Sequence, residues 1–512
     1  MSILIFIYVL VAVLLAIYGC NAWILTAVYT RHRNDTVPNP SLKAKHNLPS
    51  ITVQLPVFNE ALVIERLVNS VVRLDYPTHL LQIQILDDST DDTTTIAQML
   101  VDTYCRQGFN IELIHRHERP GFKAGALKNG LNTATGEFIV IFDADFIPNS
   151  DFLRQTIPYF AGRPQLGFIQ TRWGHLNRDY SWLTMAQGLA LDGHFAIEQT
   201  ARSRSGLLIN FNGTAGVWRR RCIETSGGWQ GDTISEDFDL SYRAQFAGWQ
   251  CLFLRDVVAP AEIPPQLAAF KRQQFRWAKG SIQCFKKLGW QVLRSDYSWW
   301  VRYQAIVHLS SYLAHPLMVI LALVTPILMW GEGTDNVRFP LIYLSLVSLG
   351  PPVLYAVAQA SLYPGRWRNH YKAMPLLILL GSGIALNNTK AVIEALLGVG
   401  NVFRRTPKFN INSHADRWQD SVYRLPIDGL VLGELALALY SLLGAVIALL
   451  NGHVFAVPFI LLYVLGFGYV GLQGLWDARH EWWRWLIGAK SPRPPAEQSS
   501  RSHRGEALSA ER

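Results

Sequence analysis

Residues 137–145 read EFIVIFDAD, an apolar run that ends in two aspartates separated by one residue. The run at 137–142 has the length and composition of a strand that is buried on both faces. Asp143 and Asp145 follow it directly, and their hard carboxylate oxygens suit Mg²⁺ or Mn²⁺ bridging a diphosphate. A D-x-D pair is also typical of an ordinary polar loop, so the flanking sequence has to decide between the two interpretations.

Further strands and helices alternate on both sides of this run. The patterns predict strands at 51–58, 81–86 and 110–115. They also predict helices at 61–73 and 121–134, and a third helix that begins within 91–95. Such alternation favours an α/β fold with a parallel-rich sheet. In these sheets, ligands bind beyond the carboxyl ends of the strands. The D-x-D pair is therefore expected at a binding edge.

Polar residues also follow the other predicted strands at this edge. Asn59 and Glu60 follow the first strand, and Asp87 and Asp88 follow the second. Lys123, in GFKAGALKNG, is a candidate point charge for phosphate. A solvated helix lysine is at least as common at such a position. Together these residues predict a nucleotide site.

Composition places part of the chain in a membrane. Hydrophobic residues make up 50% of the 512 and charged residues only 17%, against about 25% charged in soluble domains. A disordered or fibrous protein is excluded, and a wholly soluble one is disfavoured. Apolar stretches long enough to span a bilayer lie at 3–30, 304–330, 339–363, 428–450 and 454–475. Basic loops flank them, which predicts that residues 31–300 are cytoplasmic.

The segment 373–397 begins apolar and becomes amphipathic, so we expect an interfacial or re-entrant helix there rather than a sixth span. The net charge of +9 is then mostly charge flanking the membrane, and no nucleic-acid partner is expected. The five cysteines include no C-x-x-C pair, which disfavours a disulfide framework or a zinc knuckle. The chain has no G-x-x-x-x-G-K-[ST] phosphate loop.

Five motifs follow one another between the first apolar stretch and the later ones. They are Asp87-Asp88, Asp143-Ala144-Asp145, FNGTAGVWRR at 211–220, Ser235-Glu236-Asp237, and Gln273-Gln274-Phe275-Arg276-Trp277. In this order they resemble the membrane-embedded, processive family 2 glycosyltransferases of the cellulose synthase type, over about residues 50–410. The wording of LDDSTDD, GFKAGALKNG and VIFDADFIP is most similar to the plant cellulose-synthase-like mannan and glucomannan synthases.

The resemblance implies a GT-A-like α/β cytoplasmic domain and an α-helical transmembrane bundle. The expected parts are a transmembrane helix (1–33), a glycosyltransferase domain (34–263), amphipathic interface helices carrying Q-x-x-R-W (264–300), a transmembrane region (301–480) that contains an interfacial segment and a gating-like loop (373–427), and a basic disordered tail (481–512).

The resemblance also implies catalytic roles for inverting transfer. Asp237 is the expected general base, with Glu236 beside it, because the attacking hydroxyl must lose a proton. Asp145 and Asp143 are the expected metal ligands, and Arg276 would support the charge of the diphosphate.

Three groups of binding residues follow from the same motifs. The nucleotide-sugar group is Asn59, Glu60, Asp87, Asp88, Lys123, Asp143 and Arg276. The acceptor group is Trp277, Gln273, Gln274, Asn212, Gly213 and Thr214. The gating-loop candidates in FRRTPK at 403–408 are Phe403, Thr406 and Lys408. This loop departs from the family pattern at Arg405, where Val is expected, and Trp277 is alternatively an interfacial tryptophan.

Polar residues in or near the spans are candidates for lining a polymer channel, although a helix-packing hydrogen bond is about as common. They are His308, His315, Gln359 and Glu434. Glu434 is the strongest, because an acid within a span needs a partner or water.

The function implied is polymerisation of a β-1,4-mannan, glucomannan or glucan from GDP-mannose or UDP-glucose, with Mg²⁺ or Mn²⁺, onto a growing polysaccharide that crosses the lipid bilayer. The alternatives are a single-turnover transferase with a lipid acceptor of the ceramide or polyprenyl-phosphate type, and a membrane channel or scaffold with an inactive domain. The expected location is a bacterial inner membrane, or a Golgi membrane in a eukaryote.

Overall fold

The computed structural model describes residues 2–37, 48–330, 347–401, 403–411 and 413–486, with the side chains of 480–486 left out. The domain between the first apolar helix and the later ones is built on one seven-stranded sheet. The strands are β1 Ile51–Val57, β2 Leu81–Asp87, β3 Asn110–His115, β4 Phe138–Ile141, β5 Leu166–His175, β6 Gly216–Arg219 and β7 Gln250–Ala261. The four strands predicted from the sequence are confirmed.

The sheet has the order β3-β2-β1-β4-β6-β5-β7, and only β6 runs antiparallel to its neighbours. Val53 on β1 is paired with Ile83 on β2 and Val140 on β4, so these strands end at one edge. Nearly all side chains of the three strands are buried, because helices cover both faces. The predicted parallel-rich α/β fold is therefore confirmed.

The helices continue from the domain into the apolar region. They are α1 Ser2–His32, α2 Ile64–Val71, α3 Thr93–Arg106, α4 Phe122–Leu131, α5 Phe152–Thr156, α6 Trp182–Asp192, α7 Thr200–Arg204, α8 Arg220–Thr225, α9 Glu236–Phe246, α10 Leu267–Arg294, α11 Trp299–Leu309, α12 Ala314–Trp330, α13 Gly350–Leu362, α14 Trp367–Tyr371, α15 Met374–Gly383, α16 Ala385–Leu397, α17 Leu430–Leu450 and α18 Val457–Leu486. A π-helical segment, Gly193–Gln199, joins α6 to α7.

Four helical segments in the described ranges are long and apolar enough to cross a membrane, which makes this a multi-pass membrane protein. They are Ser2–His32, Ser311–Trp330, Leu430–Leu450 and Val454–Arg479. The span predicted from 304 begins instead at Ser311, because α11 ends at Leu309. Much of the predicted span 339–363 lies outside the described residues, and its described part is the short α13.

The segment 373–397, predicted to be interfacial or re-entrant, forms a broken pair of helices. Trp367–Gly383 and Ala385–Leu397 meet at an angle of 43°. The second of them, α16, packs along α10, where the Lys279 ammonium lies 3.0 Å from the Glu394 carboxylate. This geometry fits either a broken span or a re-entrant segment. At the carboxyl end, α18 continues through Leu486, and the rest of the predicted tail lies outside the described residues.

Two of the polar residues predicted to line a channel are placed elsewhere. The Glu434 carboxylate on α17 is fully buried and lies 2.6 Å from the ammonium of Lys271 on α10. The Gln359 amide donates to the Asp192 carboxylate at 2.7 Å, in a buried cluster with Arg178 and His175. Each group finds a partner on another helix, so the structure favours the alternative of helix-packing contacts for these two residues. The sequence of one span considered alone does not indicate which residues of other helices will contact it.

Replacing Glu434 by Ala should lower the melting temperature of the detergent-solubilised protein, because Lys271 would keep a buried charge without its partner. Breaking a buried ion pair in this way costs about 3–5 kcal/mol. Thermal unfolding of the variant and the wild type would measure the loss. The double variant Lys271→Met/Glu434→Leu is the matched control and should recover most of it. Identical melting of Glu434→Ala and wild type would contradict a stabilising pair.

Candidate active site

A polar cavity of about 150 Å³ lies at the carboxyl edge of the sheet. It brings together most of the predicted site: Glu60, Asp88, Lys123, Asp143, Asp145, Asn212, Gly213, Glu236, Asp237, Gln273, Arg276, Trp277, Phe403, Thr406 and Lys408. Four predicted residues do not line it: Asn59, Asp87, Gln274 and Thr214. The edge of the sheet therefore gathers motifs that are far apart in the chain.

Lys123, at the start of α4, connects three of these motifs. Its Nζ donates to Asp143 Oδ1 at 2.5 Å and to the Gly213 carbonyl at 2.9 Å, and it lies 4.0 Å from Glu236 Oε1. Burial alone would lower the pKa of Lys123, but the carboxylates of Asp143 and Glu236 raise it above its ordinary value. The lysine is thus charged and holds the D-x-D pair against the other two motifs.

Glu236 and Asp237 begin helix α9, with their carboxyl groups in the cavity. Burial and the neighbouring Asp237 raise the pKa of Glu236 to about 7. Burial also raises the pKa of Asp237 above its usual range. Gly213 has a φ of +81°, and a Cβ there would lie 3.0 Å from Asp237 Oδ2. A glycine is therefore needed for this loop to approach the carboxylate, which stays accessible and has a high proton affinity.

Asp145 is the best placed candidate for a metal ligand. Its Oδ2 accepts from Lys408 Nζ at 2.8 Å, while its Oδ1 is buried without a hydrogen-bond partner. The described residues include no group of three or more His, Cys, Asp or Glu side chains around one point. Asp143 and Asp145 nevertheless fit Mg²⁺ or Mn²⁺, because such ions use one or two carboxylates and take further oxygens from substrate phosphates.

The two aspartates that follow β2 have different surroundings. Asp88 lines the cavity and pairs with both ends of the Arg116 guanidinium, at 2.7 and 2.6 Å. Asp87 is fully buried and accepts from Thr94 Oγ1 at 2.6 Å, with His115 Nδ1 at 2.8 Å. Asp87 therefore supports the edge of the sheet, and its predicted contact with a nucleoside stays a prediction.

Two other predicted residues also act from behind the cavity. The Asn59 Oδ1 accepts from the backbone N–H of Thr90 at 2.8 Å, which ties together the loops after β1 and β2. Thr214 Oγ1 accepts from the backbone N–H of Asp143 at 2.9 Å. Both side chains fix the loops that carry the cavity residues.

The loop at 403–408 reaches into the cavity, and its role in gating stays a prediction. Phe403 stacks on Phe122 with a ring separation of 5.9 Å, and the Arg276 guanidinium lies 4.8 Å from the centre of the Phe403 ring. Arg405, the departure from the family pattern, lies 3.1 Å from Glu60 and bonds to the Asn59 carbonyl. Burial raises the pKa of Glu60 to about 7, against the opposing effect of Arg405.

Sequence reasoning missed several residues that line the cavity. Among them are Phe58, Arg119, Trp173 and Arg405. The Arg119 guanidinium lies 3.3 Å from the centre of the Phe58 ring. Phe58 is the last residue of the predicted strand 51–58, so its place at the binding edge of the sheet could have been inferred from the sequence. Trp173 lies on β5, which no motif indicated.

A second cavity, of about 520 Å³, continues from the first toward the membrane helices. Six residues line both cavities: Trp173, Asn212, Ser235, Asp237, Gln273 and Trp277. The second cavity also contains Gln274 and the two histidines predicted to line a channel, His308 and His315. His308 Nδ1 lies 2.9 Å from the Tyr242 hydroxyl.

The wall of the second cavity combines aromatic rings with polar atoms that lack partners. Asn21 Oδ1, Trp173 Nε1 and His315 Nδ1 are buried without a hydrogen-bond partner. Asn212 is fixed by Gln199, which donates to its Oδ1 at 2.8 Å, and by His194 Nε2 at 3.1 Å from its Nδ2. Stacking surfaces beside unsatisfied donors and acceptors suit a hydroxyl-rich ligand better than an alkyl chain.

Comparison with known proteins agrees with this geometry. Residues 49–280 match the model of "Glycosyltransferase like family 2". Glucomannan 4-beta-mannosyltransferase 2 of Arabidopsis thaliana is 35% identical over 343 residues, 63% of this chain and 63% of that protein. Probable glucomannan 4-beta-mannosyltransferase 2 of Oryza sativa subsp. japonica is 31% identical over 457 residues, 83% of this chain and 75% of that protein. The chain thus spans slightly less than two thirds of the length of the first of these relatives and three quarters of the second.

Among solved structures, a mannosyltransferase of Pyrobaculum calidifontis in complex with GDP-Man and Mn²⁺ superposes with a TM-score of 0.53. It is 21% identical, and the match covers 76% of this chain and 99% of that one. At this identity the likeness supports the fold alone. The plant relatives and the family match lead to one conclusion: the chain belongs to glycosyltransferase family 2, in the group that contains the plant glucomannan 4-β-mannosyltransferases.

Proposed function

We propose that this protein is a processive, inverting glycosyltransferase that extends a β-1,4-mannan or glucomannan, or a related glucan, and passes it across the membrane. The observation that carries the proposal is the continuity of the two cavities at Asp237. A chain end in the second cavity would present its hydroxyl to that carboxylate. The rest of the polymer would extend between the membrane helices.

The donor is proposed to lie in the first cavity. GDP-mannose is the donor expected from the mannosyltransferase names of the plant relatives and from the ligand of the archaeal neighbour, with UDP-glucose as a second sugar source. Arg276 and Arg405 supply positive charge that a diphosphate needs. A divalent metal, when bound by Asp143 and Asp145, adds positive charge that stabilises the leaving diphosphate.

Chemistry at the acceptor is proposed to depend on three side chains. Asp237 takes the proton of the attacking hydroxyl, which its raised pKa favours. Lys123 keeps the Gly213 loop and Asp143 in register with Glu236. Trp277 offers an aromatic face for the terminal sugar. The catalytic domain faces the cytoplasm, because Arg31–Arg33 follow the first span; the cellular compartment stays a prediction.

Product size tests this proposal. The purified protein in lipid would receive labelled GDP-mannose and UDP-glucose, separately and mixed, with Mn²⁺ or Mg²⁺. We expect long chains that a β-mannanase or β-glucanase digests, with Asp237→Asn protein as the blank. A product of one sugar that partitions into organic solvent would overturn the proposal in favour of a lipid acceptor. Absence of donor turnover would favour a scaffold.

A further inference from the structure

A third cavity, of about 450 Å³, lies where the last span meets the catalytic domain. Its walls come from the residues that begin α6 (180–183), from Pro265 before α10, from the segment 414–419 and from the span at 469–479. Within the described residues, none of its lining side chains belongs to either cavity of the proposed active site. It is therefore a separate space that the function above does not use.

This cavity combines aromatic rings with charges of both signs. Among the residues that the structure describes, Arg479 Nη1 and Gln419 Oε1 are buried without hydrogen-bond partners. The Arg479 guanidinium lies 3.2 Å from the centre of the Trp476 ring, and Asp477 lies beside it, accepting from Gln473 at 2.8 Å. An orphaned guanidinium donor suits a phosphate oxygen. The aromatic rings and Asp477 suit an organic ammonium group.

The position of the cavity relates it to the bilayer. Arg479 ends the candidate span Val454–Arg479. Leu472 is 61% exposed and Trp476 is 59% exposed, and their spacing with Arg479 places all three on one helix face. On the opposite rim Trp182 is 58% exposed. Exposed tryptophans with an apolar stripe on one side are typical of the level of the lipid headgroups.

We propose that this cavity binds the headgroup of a zwitterionic phospholipid. The phosphodiester lies on Arg479, and the ammonium group lies against Asp477 and the aromatic rings. The acyl chains follow the face that carries Leu472. The inference does not depend on the polymerising activity.

A bound headgroup would also contact the segment that anchors the loop at 403–408. Trp418 lines the cavity and packs on Phe409 with a ring separation of 6.3 Å. The backbone N–H of Phe409, the residue after Lys408, donates to the Glu262 carboxylate at 2.7 Å. The lipid would therefore brace the end of the loop that enters the donor cavity.

Native mass spectrometry of the full-length protein, with added phosphatidylcholine or phosphatidylglycerol, tests the proposal. Wild type should retain phosphatidylcholine at collision energies that remove phosphatidylglycerol. Arg479→Gln should lower this retention about tenfold, as expected for the loss of a charge-assisted bond. Arg294→Gln is the matched control, because Arg294 lies 4.5 Å over the exposed Trp290 on α10, and it should retain the lipid like wild type.

Asp477→Asn provides a second variant in case Arg479→Gln does not fold, which thermal unfolding would show. It should reduce the preference for phosphatidylcholine over phosphatidylglycerol while the total lipid retained changes little. Equal retention of both lipids by wild type, or unchanged retention in folded Arg479→Gln, would overturn the proposal.

Discussion

Replacing Asp237 by Asn should lower the rate of glycosyl transfer by about 10²–10⁴-fold, the usual contribution of a general base. The amide keeps the size of the side chain but cannot take the proton of the attacking hydroxyl. The affinity for the donor nucleotide should change little, because Asp237 lies where the two cavities meet. Release of the nucleoside diphosphate at saturating donor, together with nucleotide binding by calorimetry, would measure both quantities.

Glu236→Gln is the matched control for this prediction. It removes the neighbouring carboxylate and leaves Asp237 in place, so its loss of rate should be smaller. A rate near wild type for Asp237→Asn would contradict the assignment of the base. A greater loss in Glu236→Gln than in Asp237→Asn would move the role to Glu236.

The pH dependence of the reaction should follow from the same pair. Burial raises the pKa of Asp237, and burial with the adjacent carboxylate raises the pKa of Glu236 to about 7. As the pH falls, the pair takes up protons and a smaller fraction of Asp237 is ionised, so the rate should rise with increasing pH and then level off. Initial rates between about pH 5.5 and 9 would show this limb in wild type.

The sequence was sufficient to predict site residues where a polar residue type directly follows a strand of the sheet. Asp143 and Asp145 directly follow an apolar strand, and parallel strands end at one edge of the sheet, so their place in the site was predictable. The choice between Asp87 and Asp88 was not, because successive residues at the end of a strand point to opposite sides. Only the position of His115 shows that Asp87 is turned away from the cavity.

Partners from distant parts of the chain account for most of the remaining errors. The sequence of its own span suggests that Glu434 lines a channel. In the structure its carboxylate instead forms an ion pair with Lys271 on α10. Arg405 departs from the family pattern of the gating motif, yet it forms an ion pair with Glu60 at the first cavity. Both contacts result from tertiary packing, which composition and spacing do not encode.

Replacing Asp145 by Asn should weaken metal-dependent binding of the nucleotide and lower turnover by about 10²-fold or more. Its Oδ1 is buried without a partner, and its Oδ2 accepts from Lys408. An amide replaces an anionic oxygen with a weaker neutral ligand. Titration of Mn²⁺ at fixed GDP, followed by calorimetry, should show a half-saturating concentration at least about tenfold above that of wild type, the loss expected for one carboxylate ligand.

Lys408→Gln should shift the same titration in the opposite direction. In wild type, the Lys408 ammonium lies 2.8 Å from Asp145 Oδ2, so it already offsets part of the negative charge that would attract a metal to Asp145. A partly buried pair of this kind is worth about 1 kcal/mol, which corresponds to roughly a fivefold lower half-saturating Mn²⁺ concentration in the variant. If both variants weakened Mn²⁺ binding, Lys408 would be a contact of the bound nucleotide rather than a competitor of the metal. If neither variant changed the titration, Asp145 would not be a metal ligand. The positive charge that stabilises the leaving diphosphate would then have to come from the arginines and lysines that line the cavity.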